Sequence, residues 1–313
     1  MSNDNIRSYI VHCLSETLSP MTHMMGVAGN ESIINREKVM TPHGLREVPV
    51  ISGNAIRHRM IREPGAMYLI GRYNLAGKLS IDQLNFLFNG GALTESSTTE
   101  DMRRIANMQQ LFPLLRLLGG TLPNQIIAGS CDVMRGTLVC EENRTALSQI
   151  LPGSLPEAAL RPAAEFVGQY QYTRGDARRR DFFLRVEERG IVPVPAADGF
   201  VDDVPGEKSN LMIYAGQTVL TGSLFHHGFV LENVSPLEMG ALLHCIERWD
   251  AKGATLGGQS RIGHGKLAVS LLLPDGCSPA ELTAAYIAHV DAVREQAVDW
   301  LNDAFSVRAG RKK

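Results

Sequence analysis

The chain has 313 residues, with 31 Lys+Arg against 33 Asp+Glu and a formal net charge of -2. Its length lies just past the ~250–300 residues at which one hydrophobic core stops growing, so one large domain with insertions, or two modest domains, is expected. At 44% hydrophobic and 20% charged residues it has a globular rather than a disordered balance, and no apolar run nears the ~18 residues of a spanning helix, so no membrane partner is expected.

Met1 to Asn5 is polar, with no basic-then-apolar leader behind it. Cys13, Cys131, Cys140, Cys245 and Cys277 are odd in number and contain no Cys-x-x-Cys. That spacing argues against a disulfide framework or a zinc site and predicts a reducing, cytoplasmic setting. Arg7 to Thr17 alternates apolar and polar residues and reads as a strand. Ser19 to Val48, carrying Pro20, Gly26, Gly29, Pro42 and Gly44, reads as a long functional or mobile loop. Ser52 then caps a helix that Pro64 is expected to end.

Residues 78–120 read as a helical insertion. Ser80-Ile81-Asp82-Gln83 has the capping-box form, Gly90-Gly91 stops that helix, Thr98 opens another, Pro113 interrupts it and Gly119-Gly120 closes it. Gln125 to Cys140 is strand-like, with Gly129 and Gly136 placed as at bulges or close backbone approaches. Glu141 to Ser209 holds six prolines (152, 156, 162, 193, 195, 205) and is the most loop-like portion, with strand-like pieces such as Phe182 to Val186. A protruding hairpin is expected there. Gln217 to Leu231 reads as a strand and Ser235-Pro236-Leu237-Glu238 as a capping box opening a helix that lasts to Gly253. Leu267 to Leu273 reads as the last strand, Ser278-Pro279-Ala280-Glu281 as a second capping box before a long final helix, and Arg308 to Lys313 as a frayed basic tail.

Stripped of its insertions, this order is strand, helix, strand, strand, helix, strand. It predicts an α+β, ferredoxin-like (RNA-recognition-motif-like) frame with one sheet face free, the face that RNA-binding domains of this shape use.

The arginines fall in clusters: Arg57, Arg59 and Arg62; Arg103 and Arg104; Arg174, Arg178, Arg179 and Arg180. Guanidinium groups suit bidentate phosphate recognition and stacking on bases. Ser52, Gly53 and Asn54 offer a helix start with Arg57 one turn along, against the plainer reading of an N-cap with solvated arginines. Gly257, Gly258, Gly263 and Gly265 place four glycines in nine positions beside Arg261 and Lys266. Such a loop could grip a phosphodiester through its backbone N–H groups, or be a turn with one surface arginine. Leu267 stands where a P-loop needs a hydroxyl. Tyr170 to Arg180 interleaves Tyr170 and Tyr172 with Arg174, Arg178 and Arg179, as base stacking with phosphate neutralisation requires, though charge runs are also ordinary solvated faces. His226 and His227 are neighbours on a strand and must point to opposite faces, which excludes them as a metal pair. His23 and His43 lack ligand spacing, and Glu141-Glu142 and the Cys131-Asp132 pair lack a catalytic partner. No cofactor is expected.

The segment Pro49-Val50-Ile51-Ser52-Gly53-Asn54-Ala55-Ile56-Arg57, paired with Gly257 to Lys266, resembles the RAMP superfamily of CRISPR-associated proteins. Within it, Tyr170-Gln171-Tyr172-Thr173-Arg174-Gly175-Asp176 and the run Leu231 to Gly240 look most like the type IV effector backbone subunit. The resemblance implies a palm at 1–77, 120–141 and 216–313, a helical finger at 78–119 and a thumb hairpin at 142–215. It further implies binding of crRNA through Ser52–Asn54, Arg57, Arg62, Tyr172, Arg174, Arg178, Arg179 and the glycine-rich loop. Its implied partners are further copies stacked head-to-tail, other effector subunits and a target strand, taken to be DNA, paired to the guide. In type III relatives an aspartate after the first strand helps cut RNA. Here Pro20 to Pro49 holds Glu31, Glu37 and Glu47 but no aspartate, so a non-enzymatic scaffold is expected. A metal-dependent ribonuclease using a loop glutamate, and a phosphate-binding enzyme on the same fold, are the alternatives.

Overall fold

In β1 (Arg7–Thr17), Val11, Cys13, Ser15 and Thr17 are buried while His12, Leu14 and Glu16 face the other way, the period of two that makes a strand with one covered face. The computed structural model describes residues 7–29, 31–93, 101–174, 186–187, 190–191 and 212–305. The expected long loop proves to be mostly strand: β2 (Met24–Ala28), β3 (Glu31–Ile34) and β4 (Arg36–Thr41) fill it before β5 (Gly44–Ile51). Its glycines misled because two of them make hairpin turns, Gly29 and Gly44 having φ of 62° and 98°.

The first helix does not end at Pro64. After α1 (Gly53–Ile56), a π-helical stretch over Arg57–Arg62 leads straight into α2 (Glu63–Arg72), with Pro64 in its first turn. The wider turn brings the Glu63 N–H to the His58 carbonyl, and the proline's missing donor falls where a new helical register starts. The insertion supplies α3 (Ile81–Asn89), with its capping box and left-handed Gly90 in place, α4 (Met102–Leu111), capped by Asp101, and α5 (Pro113–Leu118). Thr98 lies outside the described residues. This insertion does not stand clear of the frame: Phe86 and Phe112 lie 6.1 and 5.6 Å from the Trp300 ring, and Gln83 Nε2 donates to the Leu301 carbonyl.

The run from Gln125 to Cys140 is broken into short strands. β6 (Gly120–Leu122) and β7 (Gln125–Ile127) form a hairpin, followed by β8 (Cys131–Val133) and β9 (Gly136–Leu138). A Cβ on Gly129 would meet the Leu118 backbone at 2.6 Å, so that glycine does mark a close approach. After α6 (Arg144–Ile150) come β10 (Val167–Arg174) and the two-residue strands β11 (Val186–Glu187) and β12 (Gly190–Ile191). Arg178, Arg179, Arg180, most of Phe182 to Val186, and the tail Arg308 to Lys313 lie outside the described residues.

The single strand expected at Gln217 to Leu231 is two strands in different sheets, β13 (Met212–Val219) and β14 (Leu224–Val234), separated by a turn at Gly222. The Ser235 capping box holds and opens α7 (Pro236–Ala251), which precedes β15 (Leu267–Leu272). The Ser278 box does not form, for its side chain makes no cap, and the final helix breaks at Val293 into α8 (Pro279–Ala292) and α9 (Arg294–Ala304).

The main sheet runs β15-β1-β14-β9-β5-β4 with β8 also on β14, so the ferredoxin strands lie in the order fourth, first, third, second, all antiparallel. Val11, Cys13, Phe225, Phe229 and Leu231 of the sheet join Ile56, Met60, Leu242 and Ile246 of the helices in one buried cluster. A second sheet, β10-β13-β3-β2, joins the base of the proline-rich portion to the hairpin after β1. His226 and His227 point to opposite faces as expected: His227 shares a 2.7 Å hydrogen bond with Ser15, and His226 a 3.1 Å one with His12. All five cysteines are free, and among the described residues no helix is long and apolar enough to cross a membrane.

Gly240 lies where α7 meets α8, and a Cβ there would sit 2.2 Å from the Leu282 carbonyl oxygen. Replacing glycine by alanine in an exposed helix gains about 1 kcal/mol. Gly240→Ala is expected instead to lose about 1–3 kcal/mol by overpacking, read as a lower melting temperature; an unchanged or raised one contradicts the contact.

Burial lowers the His226 pKa to about 4 and the His227 pKa to about 3, each from 6.5, with a neighbouring histidine adding to the effect. The unfolded chain therefore takes up protons first as pH falls. The stabilisation is whole above the ordinary histidine value and is lost as pH falls toward these depressed values. Thermal melts should drop steeply between those limits, and His227→Gln should flatten the drop.

Candidate nucleic-acid interface

Ser19 to His23, the five residues that follow β1 after Leu18, tie together two segments some two hundred positions apart. The Pro20 carbonyl accepts the Gly265 N–H at 2.9 Å, and the Thr22 carbonyl accepts the Gly258 N–H at 2.6 Å. Thr22 Oγ1 donates back to the Gly258 carbonyl at 2.7 Å, and Ser19 Oγ accepts the Lys266 N–H at 2.9 Å. At the other end of this strap, His23 Nε2 accepts the Ser52 N–H at 3.1 Å, and the His23 carbonyl accepts the Asn35 N–H at 2.6 Å. Ser52 and the glycine-rich loop are thus linked through Thr22 and His23. Burial lowers the His23 pKa, which keeps the imidazole neutral and its Nε2 lone pair free to accept.

The glycines of the loop serve this strap. Gly257 (φ 86°) would place a Cβ 2.4 Å from the Thr22 carbonyl oxygen, and Gly265 (φ 79°) one 2.0 Å from that of Leu256. The N–H groups of Gly258, Gly263, Gly265 and Lys266 already donate within the protein. The expected cradle of free backbone donors is therefore corrected: at these four positions the loop has no N–H to offer a phosphate. What it presents outward is side chains, with Ser260, Arg261 and Lys266 exposed around a short turn at Ser260–Ile262.

An aromatic stack abuts the loop. Gln259 Nε2 donates to Tyr170 Oη at 2.5 Å, and the His264 ring meets the Tyr170 ring edge-on at 5.2 Å. Tyr170 and Tyr172 stack at 6.1 Å with planes 9° apart, and Tyr172 stacks on Tyr214 at 5.2 Å. The strand pairing builds this stack: Tyr170 and Tyr172 are two apart on β10, Tyr214 lies directly opposite Tyr172 on β13, and Tyr170 lies over Gly216. Tyr172 is 38% exposed. Arg174 ends β10. Gln259, Tyr214 and His264 were missing from the sequence-based site. Recognising a strand at 212–219 opposite 167–174 would have found Tyr214.

At the helix start Ser52 Oγ accepts the Ala55 N–H at 3.2 Å, Asn54 is exposed, and Gly53 lets the backbone approach Val133, whose carbonyl oxygen a Cβ would meet at 2.6 Å. Arg57 is half-buried, and its Nε has no hydrogen-bond partner. Arg62 departs from expectation. It is buried, donating from Nη1 to the Phe86 carbonyl and from Nη2 to that of Gly119 at 3.1 Å, with Gly90 against its guanidinium. Burial, and the like charge of Arg57, lower its pKa to about 10. It fastens the helical insertion to the first helix rather than reaching outward. Of the loop glutamates, Glu37 pairs with Arg135 and Glu47 with Arg36, on opposite faces of the β4–β5 hairpin, since Lys38 is the residue opposite Glu47. Glu31 belongs to the second sheet.

No family model matches the chain, and no curated protein matches it in sequence. Among solved structures, a chain of a Type IV-B CRISPR complex superposes at TM-score 0.53 and 16% identity, covering 86% of this chain and 92% of that one. Csc2 of Thermofilum pendens gives TM-score 0.38 and 15% identity over 94% of this chain and 76% of that one. The first likeness is one of fold and agrees with the α+β, antiparallel architecture.

His23→Ala removes the acceptor for the Ser52 N–H. It should cost about 1–3 kcal/mol, the desolvation penalty of an unmade bond, and speed hydrogen exchange at the Ser52 amide. His23→Gln, which can restore an acceptor, should recover part of the loss; equal loss in both assigns the residue to packing alone.

Proposed function

We propose that this chain is a non-enzymatic, guide-RNA-binding backbone subunit of a CRISPR effector complex. In this reading it assembles head-to-tail with further copies along the crRNA, with other effector subunits at the ends, and a DNA target strand pairs to the guide. The palm carries the strand, residues 78–119 are the finger and 142–215 the thumb. Support comes above all from one observation: the Thr22–His23 strap joins the helix start at Ser52 to the loop bearing Arg261 and Lys266, beside the Tyr170–Tyr172–Tyr214 stack. Cations next to aromatic faces suit a single strand, phosphates meeting the first and bases the second. Likeness of fold to a chain of a Type IV-B CRISPR complex supports the choice of ribonucleoprotein. Recognition in this arrangement is of backbone and shape, with guide–target pairing carrying sequence selectivity. Head-to-tail contacts that do not close generate a helix.

Purified from its host, the protein should carry RNA of defined length, seen in its absorbance ratio at 260 and 280 nm and by sizing the extracted nucleic acid. Affinity of stripped protein for single-stranded RNA should fall linearly in log K against log salt, with slope about -0.7 per phosphate contact. Arg261→Ala should reduce that slope and Tyr172→Ala should cost about 1–3 kcal/mol of binding, both with little dependence on sequence. Protein that is free of RNA yet assembles normally overturns the reading.

A further inference from the structure

The histidines of β14 differ in their partners. His227 is engaged by Ser15 inside the core, whereas His226 meets another imidazole. His226 Nε2 and His12 Nδ1 face each other at 3.1 Å, with ring centres 5.3 Å apart and planes 31° from parallel. The centres are further apart than the nitrogens by about two ring radii, so the lone-pair directions point almost at one another. The strand register produces this contact. Gly228 lies opposite His12 and Leu14 opposite His226, which makes the two imidazoles diagonal neighbours on one sheet face. It is the face turned away from Val11 and Cys13, which pack in the core. His226 is only 3% exposed, and His12 is half-buried.

A third donor comes from the residue that follows β8. The Met134 N–H donates to the Gly228 carbonyl at 2.8 Å, which sets Met134 directly beside Gly228. A Cβ on Gly228, projecting onto the face of His226, would lie 3.2 Å from Met134 Sδ and 3.5 Å from the His12 Cα. The missing side chain is therefore replaced by a thioether, next to both rings. Burial lowers the pKa of His12 and of His226, so both rings are neutral and each facing nitrogen has a lone pair to give.

The donor set decides which ion fits. Among the described residues no three His, Cys, Asp or Glu side chains sit together as a closed divalent site requires. All three donors here are uncharged. The desolvation cost of an ion grows with the square of its charge, so a divalent ion faces about four times the penalty of a monovalent one, with nothing to offset it. Imidazole and thioether together suit a soft ion such as Cu(I). Distance favours three donors over two. With bonds of about 2.0 Å, a linear ion holds its two nitrogens about 4 Å apart and a trigonal one about 3.5 Å. The second spacing is nearer to the one found.

We propose that this sheet face binds one soft monovalent metal ion of the Cu(I) class, with His12 Nδ1, His226 Nε2 and Met134 Sδ as its donors. The proton shared by the two rings moves to the outer nitrogen of the ring that holds it. Both imidazoles stay neutral, three bonds to the ion form, and the only contact given up is the hydrogen bond between the rings. This site does not rest on the nucleic-acid reading of the preceding section.

Full-length protein carrying Cys277→Ser, which removes the one cysteine that is not buried, would serve as the parent. It would be titrated with silver(I) nitrate, a redox-inert stand-in for Cu(I), in halide-free buffer, followed by calorimetry and by the nitrogen-15 resonances of the imidazoles. One ion per chain should bind, and the His12 Nδ1 and His226 Nε2 resonances should move together. Removing even a hydrogen-bond partner of a metal ligand costs about 10–100-fold in affinity. Met134→Leu, which keeps the volume, and His12→Gln should therefore each weaken silver binding at least tenfold, with melting temperatures confirming that both fold. Zinc(II) should bind at least tenfold more weakly than silver(I). Silver that binds the parent and both variants alike, or that moves neither imidazole resonance, overturns the site. Zinc bound as tightly as silver through the same two rings overturns the assignment to a soft monovalent ion. A parent protein that takes up no silver at micromolar concentration overturns the proposal as a whole.

Discussion

Thr22 holds its carbonyl oxygen against Gly258 and its hydroxyl on the same residue's carbonyl, while His23 accepts the amide of Ser52. These contacts follow from the topology. In the fourth-first-third-second order, β15 runs antiparallel beside β1, so Leu267 pairs with Thr17 and the segment entering β15 must emerge beside the segment leaving β1. Any chain with this frame brings the two loops together. This chain adds their cementing by backbone groups at glycines whose Cβ atoms would collide, at Gly257 and Gly265. A loop whose backbone is so anchored has little conformational entropy left to lose.

The second sheet extends the same logic. β3 pairs in parallel with β13, and Met21 bridges to Val219, so the chain just after β1 also fixes the base of the β10–β13 ribbon. One short stretch therefore sets three things: the helix start, the cationic loop and the tyrosine stack. Gln259 and His264, both within the loop, close the triangle by touching Tyr170.

How much of this was legible in the sequence depended on whether its cause is local. The Ser80 and Ser235 caps, the αL stop at Gly90 and the alternation of β1 are decided within a few residues and could be read directly. The Ser278 signature has the same letters, yet its side chain makes no cap. The hairpins between Met24 and Thr41 were read as a loop because their strands are short and half-exposed and lack a full alternating pattern. Gln217 to Leu231 looked continuous because a turn at Gly222 interrupts two β-rich runs, and only tertiary pairing assigns them to separate sheets. At the site, Ser52 and Arg261 were visible as residue types at a helix start and in a loop. That Thr22 and His23 join their two segments was not, since a histidine accepting a single distant amide leaves no spacing signal. Arg62 misled for the converse reason: its partners are the carbonyls of Phe86 and Gly119, and every residue has one.

The near-neutral total charge is consistent with binding a polyanion once the arginines are sorted by partner. Arg36, Arg59, Arg72, Arg104, Arg116, Arg135, Arg144 and Arg161 each pair with a carboxylate. Most of these pairs are at least partly exposed and add little stability; Arg116, paired with the buried capping Glu238, is the exception in setting. Their larger effect is to neutralise the arginines they hold. Among the described residues, Arg57, Arg261 and Lys266 have no such carboxylate, and these are the cations that the helix start and the glycine-rich loop carry. A net charge of -2 is thus a sum over spent and unspent groups. A charge acts over a Debye length of about 8–10 Å, so Arg261 and Lys266 bear first on the loop that carries them.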